Sequence, residues 1–342
     1  MKLFLKLTLC ALLLAAPAFA QGALPGNLLT VGDVLRLAPK GSRAVADARS
    51  AVQDAAREQR TLENDPQAVP IEVRAARRAV EAAEDDLKVA VAQSRLEGFN
   101  LFAELVEAQA AVEAQEGTAR VAEISARAME ARHEAGAATE SELTGAQSEL
   151  ASAERSLEEA RTGLQFARDS LEAFLGTGVV EVRPLRESQL PEGTPTEEEL
   201  VASAGEANRR IRNAERALVD AREQLAAVDN AYSAAREIET ARERVQNAEE
   251  AISDARDAVQ LSLRQALANL DAARNRYENA RASGRSAAES YRASQARFEA
   301  GTISRVALEE ARLSLGSSEA SLQSALHALF RAHLQLEMAV LE

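Results

Sequence analysis

The 342 residues include 3% aromatic side chains, no tryptophan, eight prolines and 16 glycines, which argues against an aromatic-rich β-sandwich or a mixed enzyme core. The formal charge of −14 argues against a nucleic-acid partner. All prolines lie at or before residue 70 or between 184 and 195, so 71–183 and 196–342 lack the strongest helix breaker and are predicted to be helical.

Residues 1–20 have the features of a secretory signal peptide. Two lysines precede an apolar run over 7–16, and Ala18-Phe19-Ala20 forms a small-residue cleavage site. The run is too short to span a membrane. The only cysteine, Cys10, lies inside it and follows a leucine where a lipoprotein signal needs a small residue, which disfavours a lipid anchor. We therefore predict an exported protein of the periplasm or cell envelope, with no disulfide and no membrane span in the mature chain.

The chain carries an internal repeat with an offset of 165 residues. Residues 131–136 read Ala-Arg-His-Glu-Ala-Gly, and residues 296–301 read Ala-Arg-Phe-Glu-Ala-Gly. After both motifs, leucine recurs every seven residues at equivalent positions. We predict a first repeat over 21–175, a connector over 176–195 in which Val179-Val180-Glu181-Val182 adds one short strand, and a second repeat over 196–342.

Each repeat is predicted to contain three helices. Those of the first repeat run from about Val31 to Leu62, Ile71 to Ala135 and Glu140 to Leu175. Their counterparts open at Thr196, near Ala234 and after Ser304. Capping boxes mark three of the starts, and glycine stands where a left-handed residue would end a helix, at Gly136, Gly176 and Gly301.

The apolar residues follow a seven-residue period, which predicts coiled-coil packing. The long helices of about 65 residues would span about 98 Å, and the first and third helices of a repeat together about 103 Å. We therefore predict that the two shorter helices stack end to end beside the long one. The fold class is all-α, with long antiparallel coiled-coil hairpins from two tandem three-helix repeats.

This plan resembles the TolC family of outer-membrane efflux proteins over about 29–342. The resemblance is carried by Leu29-Thr30-Val31-x-Asp33-Val34-Leu35-x-Leu37-Ala38, by the two Ala-Gly turns and by Leu171-x-x-Phe174-Leu175-Gly176. It implies a homotrimer whose helices form a hollow α-barrel across the periplasm, with the turns docking an adaptor protein. By analogy, the docking residues are Ala135, Gly136, Thr139, Glu140, Glu142, Ala300, Gly301, Thr302, Ser304 and Arg305.

The chain departs from that family between the first and second helices of each repeat. In the family a pair of membrane strands makes this connection, whereas here the joints are only 61–70 and about 229–233. Spanning strands need about 9–11 residues each. We therefore expect a TolC-like α-barrel protomer without the membrane β-barrel, located in the cell envelope. An association with the outer membrane is implied by the family resemblance alone.

No motif predicts an enzyme, a cofactor or a metal site. The acidic run Glu81, Glu84, Asp85 and Asp86 alternates with basic residues and is interpreted as a solvated, ion-paired helix face. His133 replaces the Phe298 of the second repeat in a core row and is predicted to pack beside the turn. Glu140 and Glu142 fit either an acidic ring at a duct entrance or a capping box at a helix start.

Two functions remain open from the sequence. The first is a periplasmic helical duct component of an efflux or secretion system that oligomerises into a tube and docks an adaptor through its turns. The second is a structural coiled-coil scaffold or spacer of the cell envelope. A second apolar stripe on the helix over 71–135, which includes Gly98, Leu105 and Val112, favours lateral association.

Overall fold

The computed structural model describes residues 28–178, 181–191 and 193–342, so the predicted signal peptide lies outside the described residues. The described part contains eight α-helices, one short 3-10 turn and two short strands. The helices are α1 (Val31–Gly41), α2 (Arg43–Asn64), α3 (Pro70–Glu134), α4 (Glu140–Leu175), α5 (Glu197–Ala207), α6 (Arg209–Val228), α7 (Ala235–Glu299) and α8 (Arg305–Leu341). The all-α fold class is confirmed.

The predicted long helices agree with the structure. α3 and α7 each contain 65 residues, and α4 and α8 contain 36 and 37. All three predicted capping boxes form, at Thr30, Thr139 and Thr196. Because each hydroxyl accepts from a backbone N–H three residues on, the orphan donors of the first turn are satisfied locally.

The first predicted helix of each repeat is interrupted, so a repeat has four helices instead of three. The break falls at Ser42 and at Asn208, and both residues are extended, with ψ of 124°. Pro39 lies in the last turn of α1, where its ring removes a backbone donor. Asn208 starts α6 directly, because its side-chain oxygen accepts from the N–H groups of Arg210 and Ile211 at 2.9 and 3.3 Å.

The shorter helices lie end to end beside the long ones, as the length arithmetic predicts. α2 and α4 pack along α3, while α6 and α8 pack along α7. At the first junction, the backbone approach is so close that a Cβ on Gly41 would lie 2.3 Å from the Phe174 carbonyl oxygen. At the second, the Asn208 amide donates to the Ala339 and Val340 carbonyls at 3.4 and 3.3 Å.

The two repeats are joined through α3 and α8. The Phe99 and Phe330 rings stand 4.7 Å apart at this interface, and Phe99 is fully buried. Gly98 packs against α1, since a Cβ there would lie 2.8 Å from the Ala38 methyl. Leu105 is also buried. Contacts within the chain therefore cover this part of the second apolar stripe that suggested lateral association of α3.

The connector carries the predicted short strand. β1 (Leu28–Leu29) and β2 (Glu181–Val182) form a parallel two-stranded ladder, and the Arg183 N–H donates to the Leu29 carbonyl at 2.9 Å. Val179 and Val180 of the predicted strand lie outside the described residues. Val182 and Leu185 are buried, so this segment is fixed to the helical core.

Candidate docking site at the hairpin tips

The two hairpin turns lie at the same end of the bundle. α3 runs towards the turn over 135–139, and α8 runs away from the turn over 300–304. These helices pack antiparallel, with Phe99 beside Phe330 and, nearer the turns, Gly117 beside Leu313. We name the turn over 135–139 with its flanking residues the first tip, and the turn over 300–304 with its flanking residues the second tip.

The first tip is built on a helix-ending motif that needs a left-handed residue. Gly136 has φ of +73°. The N–H of Gly136 donates to the His133 carbonyl at 2.8 Å, and the N–H of Ala137 donates to the Arg132 carbonyl at 2.7 Å. Nothing lies within 4 Å of a Cβ built on Gly136. The glycine is therefore required by backbone conformation and not by space.

The second tip repeats this geometry. Gly301 has φ of +69°, its N–H donates to the Phe298 carbonyl at 2.9 Å, and Thr302 donates to the Arg297 carbonyl at 2.9 Å. The Thr302 hydroxyl adds a bond to the same carbonyl at 2.8 Å. The shared backbone geometry shows that the repeated sequence motif encodes one type of turn.

The helix starts at the two tips differ. Thr139 Oγ1 accepts from the Glu142 N–H at 3.3 Å, and the Glu142 carboxylate accepts from the Thr139 N–H and hydroxyl at 2.7 and 2.8 Å. Hydrogen bonds from the backbone and hydroxyl of Thr139 hold the pKa of Glu142 below its ordinary value. At the second tip, Ser304 accepts from the Ala307 N–H at 3.2 Å, but Ala307 has no carboxylate to return. The capping-box interpretation of Glu142 is thus seen in the structure.

All ten residues predicted as docking positions are exposed. The equivalent windows 130–142 and 295–307 nevertheless differ in charge. The first holds four glutamates and one arginine, a net −3, whereas the second holds two arginines and one glutamate, a net +1. The two tips therefore present the same backbone shape with opposite electrostatic character.

His133 and Phe298 occupy equivalent positions beside the turns. His133 is half-buried, and its Nδ1 lies 3.1 Å from the Ala138 carbonyl, to which it donates. Phe298 keeps 37% of its surface exposed. The predicted packing of His133 is seen, while the second tip leaves an aromatic surface available.

The acidic run on α3 is only partly the solvated face predicted from the sequence. Asp85 is 2% exposed, and its carboxylate meets Arg212 Nε at 3.1 Å, Arg216 Nη1 at 2.9 Å and Lys88 Nζ at 3.0 Å. Both arginines belong to α6, so Asp85 connects the two repeats. The four-residue spacing of Arg212 and Arg216 is visible in the sequence, but it does not identify a partner on another helix.

The arginines near the start of α3 extend this contact with α6. The Glu223 carboxylate accepts from Arg74 Nε at 2.6 Å and from Arg78 Nη2 at 2.9 Å, and Arg78 also pairs with Asp220. The network lies in the half of α3 remote from the tips. It joins the two repeats through α3 and α6.

Within residues 28–178, 181–191 and 193–342, no group of His, Asp or Glu side chains could hold a metal ion. Across the same described ranges, no helix has an apolar run long enough to cross a bilayer. In the described chain, the two tips are exposed and differ from each other in net charge.

The comparisons with known proteins agree with this architecture. The sequence profile of the outer membrane efflux protein family matches residues 65–177, which is α3, the first tip and α4. This is a family of efflux proteins and not of enzymes. No curated protein sequence matches the chain.

Solved structures match over nearly the whole chain. The structure of CusC, from a study of transmembrane channel formation, has 15% identity and a TM-score of 0.65, covering 91% of both chains. The CmeC outer membrane channel of Campylobacter jejuni has 15% identity and a TM-score of 0.65, covering 91% of this chain and 85% of its own. The outer membrane protein VceC of Vibrio cholerae has 16% identity and a TM-score of 0.58, covering 91% and 95%. The resemblance to the TolC family of outer-membrane efflux proteins is therefore confirmed, in sequence over the first hairpin and in fold over most of the chain.

Proposed function

We propose that this chain is a helical duct component of an efflux or secretion system in the cell envelope, and that copies of it associate side by side into a tube whose tips dock an adaptor protein. The carrying observation is the arrangement of the helices. The α2/α4 column, α3, the α6/α8 column and α7 lie next to one another in that order, with both tips at one end. Such a row has two free lateral sides, one on α4 and one on α7.

The free side of α7 is suited to close helix packing. Leu261 follows the buried Val259 by two residues, about 200° around the helix, and is 69% exposed. It therefore points away from the buried side of α7 that carries Val259. Small exposed residues share this side, namely Ala251, Ala268, Ala272, Ala282, Ser286 and Ala293.

The free side of α4 has the same character. Phe166 follows the half-buried Leu164 by two residues and is 69% exposed. Exposed small residues lie on this side of the helix, namely Gly145, Ser148, Ala151 and Ser152. One small residue per layer lets neighbouring helix axes approach closely. α7 of one copy would run antiparallel to α4 of the next, which continues the alternation seen within the chain.

A contact between two different surfaces is head to tail, and it forms a closed ring when the rotation between copies closes. The family resemblance gives three copies for that ring. The tips would then alternate in charge around its rim, so we expect the adaptor to present basic residues to the first tip and acidic or apolar residues to the second. Phe298 at the second tip supports the apolar part of this expectation.

Light scattering coupled to size exclusion tests the lateral assembly. We expect the mature chain to form a closed oligomer, and Leu261→Arg to reduce it to a monomer of unchanged helicity. Ala137→Arg at the exposed first tip is the matched control and should leave the mass unchanged. A monodisperse monomer of the unaltered chain at all concentrations would favour the scaffold function instead.

Transport is tested in cells in which this chain is the only duct component of its kind. We expect Leu261→Arg and deletion of the chain to raise the accumulation of a fluorescent cationic dye to the same level. Ala137→Arg should also raise it, because the adaptor contact is lost while the oligomer persists. Equal dye accumulation with and without the chain contradicts a duct.

A further inference from the structure

The core between the two repeats contains a fully buried histidine that the proposed duct function does not use. His327 on α8 is 0% exposed and makes T-shaped contacts with the Phe99 and Phe102 rings, with centroid distances of 6.1 and 6.5 Å. Its two ring nitrogens both have partners. Nδ1 faces Glu107 of α3 at 3.2 Å, and Nε2 faces the Gln323 amide nitrogen at 2.9 Å.

The partners of Gln323 fix the proton position on His327. The same Gln323 nitrogen donates to the Leu185 carbonyl at 3.2 Å, and a carbonyl can only accept. The amide therefore points its NH₂ group at both Leu185 and His327. It follows that Nε2 accepts, and that the single ring proton is on Nδ1, donated to Glu107.

This bonding pattern connects the connector to the helical core. Leu185 is 2% exposed and follows β2, and Gln323 is its side-chain link to α8. Three other contacts hold the neighbouring segments. The Arg183 N–H donates to the Leu29 carbonyl at 2.9 Å in the β1–β2 ladder. Glu187 pairs with Arg281 of α7 at 3.0 Å, and Glu197 at the start of α5 pairs with Arg264 of α7 at 2.7 Å. The Gln323 contact therefore acts on the short segment around Leu185, between the β1–β2 ladder and Glu187.

Protonation of His327 is incompatible with this arrangement. A proton on Nε2 would face the Gln323 NH₂ group, donor against donor. If the amide turned to offer its oxygen, that oxygen would face the Leu185 carbonyl and leave it without a donor. Either orientation removes one hydrogen bond at a buried position, so the charged ring disfavours the attachment of the connector.

We propose that His327 is a pH-responsive clasp that fixes the connector segment around Leu185 to α8 when neutral and releases this segment when protonated. Pro184 and Gln323 also line a groove of about 560 Å³ between α3 and α8. Release would therefore open that groove at its connector end. An envelope protein that meets external pH would respond by loosening this segment, while the β1–β2 ladder and the Glu187–Arg281 pair keep the rest of the connector in place.

The charges around His327 determine the pH at which its ring is protonated. Burial lowers the pKa of His327 below its ordinary 6.5, while Glu107 from α3 opposes the shift and Arg331 from α8 adds to it. The connector contributes only the neutral Leu185 carbonyl. Below the folded pKa, each pH unit shifts the released-to-clasped ratio by up to about tenfold.

The first measurement is a histidine NMR titration of the full chain. We expect His327 to hold its proton on Nδ1 at neutral pH and to titrate below its ordinary value of 6.5, with His327→Gln identifying the signal. A ring proton on Nε2 at neutral pH, or a His327 that titrates above its ordinary value, overturns the proposal.

The second measurement follows the connector itself. A nitroxide on Arg186→Cys, in a Cys10→Ser background, reports the mobility of the exposed position that directly follows Leu185. We expect a mobile component that grows on acidification with the midpoint of His327. Gln323→Leu should be mobile at every pH, whereas His327→Gln, which keeps an acceptor but does not titrate, should stay immobile. His333→Gln is the control and should behave as the unaltered chain.

An unaltered chain whose connector mobility is constant while His327 titrates contradicts the clasp. So does an acid-induced mobility of equal size in His327→Gln. Both measurements work on a monomer or an oligomer, so they are independent of the proposed duct function.

Discussion

Asp85 shows how one buried residue can define the contact between two repeats. Its carboxylate is the shared acceptor for Arg212, Arg216 and Lys88, and it is nearly inaccessible to solvent. Removing its charge would leave the two arginines of α6 facing each other across an interior site. Such uncompensated buried charge is among the costliest single changes in a folded protein.

We predict that Asp85→Asn lowers the free energy of unfolding by about 3 kcal/mol. Asp86→Asn is the matched control, because Asp86 pairs with Arg209 at 3.1 Å in an exposed position. Its effect should stay below about 1 kcal/mol. Urea denaturation followed by circular dichroism measures both, and equal effects of the two substitutions would contradict the assigned role of Asp85.

Asp85 also shows why the sequence prediction of a solvated face for this acidic run is partly wrong. Alternating acids and bases on one helix predict a solvated face, and Asp86 conforms to that prediction. Asp85 differs only because α6, more than 120 residues later in the chain, covers it. Periodicity within α3 carries no information about that neighbour.

At the scale of single elements, the helix breaks at Ser42 and Asn208 occupy equivalent positions in the two repeats but use different chemistry. Asn208 caps α6 and also bonds to the last turn of α8, whereas Ser42 makes no side-chain capping bond. The heptad pattern continues through both positions, so periodicity alone predicted one uninterrupted helix. Local capping and tertiary contact decided where the break occurs.

Asn208→Ala is expected to lower the free energy of unfolding by about 2 kcal/mol, because it removes a helix cap and buried amide bonds together. The equivalent change Ser42→Ala should cost no more than about 0.5 kcal/mol. Thermal melting of both variants checks the prediction. A larger loss of stability in Ser42→Ala than in Asn208→Ala would contradict the role assigned to the Asn208 cap.

The tip turns give a second test at this scale. Gly136→Ala should cost about 1 kcal/mol, because a side chain disfavours its left-handed backbone even though the space around it is open. Gly145→Ala, on the exposed face of α4, should instead stabilise by up to about 1 kcal/mol, because the position is helical. Chemical denaturation distinguishes them, and equal effects would contradict the turn assignment.

At the scale of the whole molecule, ion pairs and capping carboxylates make stability depend on pH. Hydrogen bonds from Arg78 and Arg74 lower the pKa of Glu223, those from Arg264 and Gln260 lower that of Glu197, and those from Thr139 lower that of Glu142. The unfolded chain therefore binds protons more readily than the folded chain in acid. This stability is present above the ordinary carboxyl pKa and is lost as pH falls.

We predict that the melting temperature falls steadily between about pH 5 and about pH 3. Glu223→Gln should melt lower than the unaltered chain at neutral pH but lose less on acidification, since its contribution no longer titrates. The Glu250→Gln change, at an exposed position on α7, serves as the control. Parallel pH profiles for the unaltered chain and Glu223→Gln would contradict the prediction.

The sequence by itself determined the helical class, the duplication, the long-helix boundaries and the glycine turns. Each of these depends on a period, a cap or a backbone preference that acts within a few residues. Only the tertiary structure decided which faces meet. Asp85 and Arg216 are 131 residues apart, and Glu107 and His327 are 220 apart. Burial, the paired charges, the neutral histidine and the free lateral sides follow from those distant contacts, which no local pattern encodes.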